Sequence, residues 1–267
     1  AAQAALNAGE ALGSYLVRTH PGNLRLLEAL ERAYGAPWVD LSVPAPPAPF
    51  GDSLEQRVRG MLMGLAIGDA LGNTSEGRAP ADRRRRYGEI RDYLPNWWAD
   101  WAAVGVPSDD TQLAFWTVES LLRQGCLDPA DLAAGFAGSR IFGIGKSVTA
   151  FLLAYRGEGA PWYRAGRPSA GNGALMRIAP VLLPHLRPGS AVTLWKDVIA
   201  ATVLTHRDEA AAAASVGMVG VLAECMALVP SASVATPASA PAPEWWPRTF
   251  LRYARAVETG AVYQARW

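Results

Sequence analysis

Apolar residues recur at helical spacing along most of the chain. In "GNLRLLEALERAYG" (22–35), Leu24, Leu27, Leu30 and Ala33 fall on one face and Gly35 supplies a stop. A longer helix is predicted from Ser53, "SLEQRVRGMLMGLAIGDALG", with Leu54, Val58, Met61, Leu62 and Leu65 as its buried face. Further helices fit 110–124, 129–137, 146–156, 173–186, 191–204 and 207–228. Alternating strand patterns are few, so the predicted class is all-α. Two stretches break the periodicity. "WVDLSVPAPPAPFG" (38–51) is Pro-rich and reads as an extended connector, and "VPSASVATPASAPAPE" (229–244) reads as a mobile loop or linker. The expected division is an N-terminal helical appendage and connector over 1–50 and a main domain over 51–267.

Glycine placement adds one expectation. Gly60, Gly64 and Gly68 lie every four residues along one stripe of the helix that starts near Ser53. Each costs about 1 kcal/mol relative to Ala, so the stripe predicts a very close neighbour, either a second helix or a ligand.

Composition narrows the class. Half of the 267 residues are apolar, and Lys+Arg against Asp+Glu stand at 25 to 24. That balance gives no global field toward nucleic acid or membrane, and the run Arg83–Arg86 reads as a solvated face or loop. The segment 210–229, "AAAAASVGMVGVLAECMALV", has the length of a membrane span. It is mainly Ala and Gly and carries Glu224, so it reads as a buried helix whose small side chains permit close approach. Cys126 and Cys225 belong to no metal-binding spacing, and no secretory signal opens the chain. A reduced, cytoplasmic protein is expected.

The candidate chemistry lies in five short segments. "VPSDDTQLAFW" (106–116) places Ser108, Asp109, Asp110 and Thr111 at a helix start. One cap and the helix dipole account for one or two of these groups. Adjacent carboxylates repel, and a hard cation such as magnesium or manganese would offset that repulsion. "GLAIGDALGNTSEG" (64–77) holds Asp69 among small apolar residues, where a hydrogen-bonding hub is the favoured reading, and Glu76 in a polar loop. "PSAGNGALMRIAPVLL" (168–183) puts glycines on both sides of Asn172 at a helix start, a pattern shared by anion-binding turns and ordinary tight turns. "RIFGIGKSV" (140–148) ends like a phosphate-binding P-loop, but Arg140 stands where its first glycine belongs and no strand pattern precedes it. "LTHRDEAAAAA" (204–214) sets His206 before an Ala-rich helix.

In this order the segments "GMLMGLAIGDALG" with Glu76, "SDDTQLA", "GNGALMRIAPVLL" and "THRDEAAAAA" resemble the ADP-ribosylglycohydrolase family over residues 57–214. The resemblance implies an all-α orthogonal bundle and cleavage of the glycosidic bond between ADP-ribose and a protein side chain or related acceptor. It also implies a site for two divalent cations, magnesium or manganese. Ser108, Asp109 and Asp110 then correspond to metal ligands, and Glu76 with Asp109 and Asp110 to the catalytic acids. Ser169, Gly171 and Asn172 correspond to the ribose and diphosphate loop, Gly143 to Gly145 to a second phosphate-facing turn, and His206 to a cleft-lining position. ADP-ribose or an ADP-ribosylated substrate is the implied partner; a membrane is not, and nucleic acid enters at most as a modified acceptor. The family's second Asp-rich motif has no counterpart after His206. The competing expectations are therefore a catalytically incomplete ADP-ribose-binding or interaction module on the same fold, and a purely structural helical domain.

Overall fold

The computed structural model describes residues 43–47, 54–186, 191–228 and 241–257. The helix expected over 22–35 and most of the stretch 229–244 lie outside the described residues. Residues 43–47, within the Pro-rich connector, carry no regular structure.

Among the described residues the protein is helical, with only two isolated β-bridges, Asn96 with Ala102 and Arg167 with His206. In chain order the helices are α1 (Leu54–Gly72), α2 (Pro80–Tyr87), α3 (Asp109–Gln124), α4 (Pro129–Gly138), α5 (Lys146–Leu152), α6 (Trp162–Ala165), α7 (Ala191–Val203), α8 (Glu209–Ala227) and α9 (Trp245–Ala254). A π-helical turn, Leu153–Gly157, extends α5.

The centre of the core is α8. It is the one described helix long and apolar enough to cross a membrane, but much of its surface is buried against protein, including Ala212, Val216 and Val219. Its small residues let α9 lie directly on it: a Cβ on Gly217 would stand 2.8 Å from the Phe250 ring, and one on Gly220 2.2 Å from Tyr253. The helix α9, unexpected from the sequence, presents Phe250 and Tyr253 to this core, and Val257 in the turn after it joins them.

Two expectations about local structure fail for identifiable reasons. Residues 173–186 form 3₁₀ turns, Leu175–Arg177 and Ala179–His185, rather than one α-helix. Pro184 has no N–H to give the carbonyl of Pro180, so the chain winds tighter there. The stripe Gly60, Gly64 and Gly68 is not a packing seam among the described residues, because a Cβ on any of them would meet nothing within 4 Å. Helix α1 instead reaches the core along its other side, through Leu54, Val58 and Met61, and leaves Met63 and Ile67 exposed beside the glycines. The arginine run forms helix α2 and has no buried residue, so it is a solvated face carried on a helix.

Candidate functional site

The N-terminus of α3 is capped from another helix. Asp69 of α1 accepts four hydrogen bonds there, from the Ser108 N–H at 2.7 Å, Ser108 Oγ at 2.6 Å, the Thr111 N–H at 3.1 Å and Thr111 Oγ1 at 2.7 Å. Asn73 Nδ2 adds a fifth at 3.2 Å. Two of the oxygen-bearing side chains that crowd this helix start are thus donors to a buried-edge carboxylate, which offsets the cost of removing Asp69 from water. The hub reading of Asp69 accords with this geometry.

Asp109 and Asp110 have no such set of donors among the described residues; Ser108 Oγ lies 3.4 Å from Asp110 Oδ2. No cation pairs with either among the described residues. Burial, followed by the charge of Asp110, pushes the Asp109 carboxyl up to about 7. Burial, followed by the charges of Asp69 and Glu76, pushes Asp110 up to about 6. Asp109 faces Gly143, where the backbone is left-handed (φ 74°) and a Cβ would come within 3.0 Å of Asp109 Oδ1. Glycine is therefore required at 143 both by conformation and by space. Gly145, with φ −78°, caps the start of α5 and has no such constraint.

Glu76 and Ser108 border a cavity of about 530 Å³ whose other wall carries Trp97, Trp98, Trp101 and Phe142. The turn that presents the tryptophans is pinned by buried Asn96, whose Oδ1 accepts from the Trp98 N–H at 2.9 Å. Asp100 and Trp101 both adopt positive φ (50° and 65°), costly for non-glycine residues and most so for a bulky one. Nothing in the hydrophobic pattern marked this loop, although three tryptophans within five residues of sequence were a visible signal.

The remaining predicted residues form a second group. Ser147 Oγ hydrogen-bonds Ser169 Oγ at 2.8 Å, and Ser169 Oγ accepts from the Gly171 N–H at 3.2 Å. Asn172 is exposed at the head of the following 3₁₀ turn, where its carbonyl accepts from the Met176 N–H at 3.0 Å. His206 lies buried under this turn, with a Cβ on Gly173 falling 2.8 Å from its ring. Segment 143–147 touches both groups, through Asp109 at one end and Ser169 at the other. The structure thus brings Glu76, Ser108, Asp109, Asp110 and Gly143 together, and sets Ser169, Gly171, Asn172 and His206 as a neighbouring cluster joined by α5.

The donor set fits a magnesium-type cation in kind and falls short in number. Carboxylate and hydroxyl oxygens are the right ligands, and the unrelieved negative charge on Asp109 and Asp110 is what a cation would offset. No group of three His, Cys, Asp or Glu side chains that could hold a metal exists among the described residues. The described residues form at most one side of such a site.

An all-α bundle with an oxygen-rich helix start beside a Gly-Asn-Gly turn defines the class. Residues 51–265 match the ADP-ribosylglycohydrolase family, and the chain belongs to it; the all-α orthogonal bundle expected from the sequence agrees. It is 33% identical over 159 residues to the ADP-ribosyl-[dinitrogen reductase] glycohydrolase of Rhodospirillum rubrum, covering 58% of this chain and 53% of that protein. It is 32% identical over 165 residues to the ADP-ribosylarginine hydrolase Tri1 of Pseudomonas putida, covering 58% and 43%. Among solved structures, an ADP-ribosylglycohydrolase-related protein complex aligns with a TM-score of 0.53 at 29% identity, over 65% of this chain and 57% of that one. The chain spans about half the length of the curated relatives it matches.

Proposed function

We propose that this chain recognises the ADP-ribosyl group along the segment that joins the Asp109–Asp110 pair to the Ser169–Asn172 turn, and that this is the binding half of a glycohydrolase site. The observation that carries the reading is the continuous link from Asp109 through Gly143 and Ser147 to Ser169. It joins an acid pair to a glycine turn with a histidine beneath it, in a chain of this family. An ADP-ribosylated side chain offers the matching features: a diphosphate and ribose oxygens for the turn, and an anomeric carbon for the acids. Two free thiols suit a reducing, cytoplasmic setting.

Ligand binding to the native state alone raises the unfolding midpoint. ADP-ribose at millimolar concentration should raise that of this chain by several degrees, and replacing Asn172 with Trp should remove most of the shift. An unchanged midpoint for the wild type would reject the reading; an equal shift in the variant would remove the turn from the site.

Hydrolysis of the glycosidic bond is the second reading, favoured by the elevated Asp109 and Asp110 carboxyls. A cation bound beside these carboxyls would offset the repulsion that raises them and return both to the charged form. Cleavage develops positive charge on the sugar, which Glu76 at the cavity edge would steady. Asp109 and Asp110, with Ser108, would hold magnesium or manganese on one side, and the bound ion would supply Lewis acidity and charge balance. Replacing both aspartates with Asn should abolish magnesium binding while helix content stays constant, and an unaltered magnesium affinity would refute this assignment.

A further inference from the structure

His206 is 1% exposed, and among the described residues only one of its ring nitrogens has a hydrogen-bond partner. Nδ1 lies 2.8 Å from Thr205 Oγ1. Nε2 makes no hydrogen bond among the described residues and faces the glycine turn. A Cβ on Gly171 would lie 3.5 Å from it and 3.3 Å from Ser169 Oγ, and one on Gly173 would lie 3.1 Å from it. A neutral imidazole donates from one nitrogen and accepts at the other. The chemistry of the turn depends on which one.

The neighbouring side chains decide this. Arg177 is buried, and its Nη2 donates to the Ala201 carbonyl at 3.0 Å and to Thr205 Oγ1 at 2.9 Å. A guanidinium only donates. It therefore occupies a lone pair of the Thr205 hydroxyl, and the hydroxyl proton must point elsewhere. His206 Nδ1 is the acceptor within reach. Were Nδ1 instead protonated, the Thr205 proton would be buried without an acceptor.

The cost of Arg177 is otherwise unexplained by packing. It forms no ion pair among the described residues, and its Nε and Nη1 have no hydrogen-bond partner. The Phe136 ring stands 4.8 Å from the guanidinium.

We propose that Arg177 and Thr205 are positioning residues, holding His206 as a neutral imidazole whose single N–H sits on Nε2 and donates to an oxygen of the bound ADP-ribosyl group. The donor role rests on the proposed function; the tautomer does not. The charge of Arg177 also helps keep the ring neutral, since the His206 imidazole is pushed down to about 4 by burial and then by Arg177.

The test is ¹⁵N NMR of the histidine rings in the unliganded chain, with His206 assigned by His206→Gln, followed by ADP-ribose titration. The wild type and Thr205→Ser should both show the Nε2–H tautomer. Thr205→Val should remove the hydrogen bond to Nδ1, seen as a displaced Nδ1 ¹⁵N resonance, and weaken ADP-ribose about tenfold, the cost of one hydrogen bond that no longer positions the ring. Thr205→Ser should restore the affinity. An Nδ1–H tautomer in the wild type would overturn the proposal without any variant, as would a Thr205→Val ring whose Nδ1 resonance does not move. Failure of the wild type to bind ADP-ribose would overturn the proposed function and the donor role together, whatever the tautomer.

Discussion

At the scale of single residues, the acid pair is held in a state that disfavours its charged form. An unfolded aspartate titrates near 4, whereas Asp109 in the native chain is pushed up to about 7, by burial first and then by Asp110. Between those values the native state binds more protons than the unfolded state. The stabilising contribution is full below about pH 4 and is lost as pH rises through about 7, on the order of a few kcal/mol. Asp109→Asn keeps a neutral group at every pH. Its unfolding midpoint should therefore rise relative to the wild type between pH 5 and pH 8, as thermal scans across that range would report. A midpoint difference that does not change with pH would contradict the charge crowding inferred here. The acid pair itself was legible in "SDD" because two adjacent carboxylates at a helix start exceed what capping needs. The share of Ser108 and Thr111 taken by Asp69 was not, because a cap supplied from another helix leaves no local spacing to read.

At the scale of elements, the same residue type serves opposite purposes in two helices. Gly220 of α8 is pressed against the Tyr253 ring of α9, while Gly64 of α1 faces open space. Gly220→Ala should destabilise by about 1–3 kcal/mol through overpacking. Gly64→Ala should stabilise by up to about 1 kcal/mol through helix propensity. Denaturant unfolding of both variants measures the contrast, and a destabilised Gly64→Ala would restore the packing seam to α1. Sequence spacing placed most of α1, α3, α4, α5, α7 and α8 correctly because their apolar faces repeat at the helical period. It could not separate the 3₁₀ turns of 175–185 from an α-helix, since apolar period and length look alike until Pro180 and Pro184 are weighed. Helix α9 escaped because it follows a Pro- and Ala-rich stretch and has Pro247 in its own first turn. The stripe of small residues proved ambiguous for a physical reason: spacing reveals what a helix could admit, not whether a neighbour is there.

At the scale of the whole molecule, the chain has the fold of the ADP-ribosylglycohydrolase family and spans about half the length of its curated relatives. Recognition and hydrolysis make different demands on it. The proposed recognition uses the glycine turn, His206 and the segment 143–147 that leads to Asp109, all among the described residues. Metal-assisted hydrolysis needs more ligands than the described residues bring together. The direct discriminator is calorimetric titration of ADP-ribose into the 267-residue chain, without and with millimolar magnesium. Saturable binding without magnesium is the result predicted for the recognition site, and a further gain with magnesium would extend it toward the hydrolase reading. No heat of binding in either condition would contradict the assignment of this site to ADP-ribose.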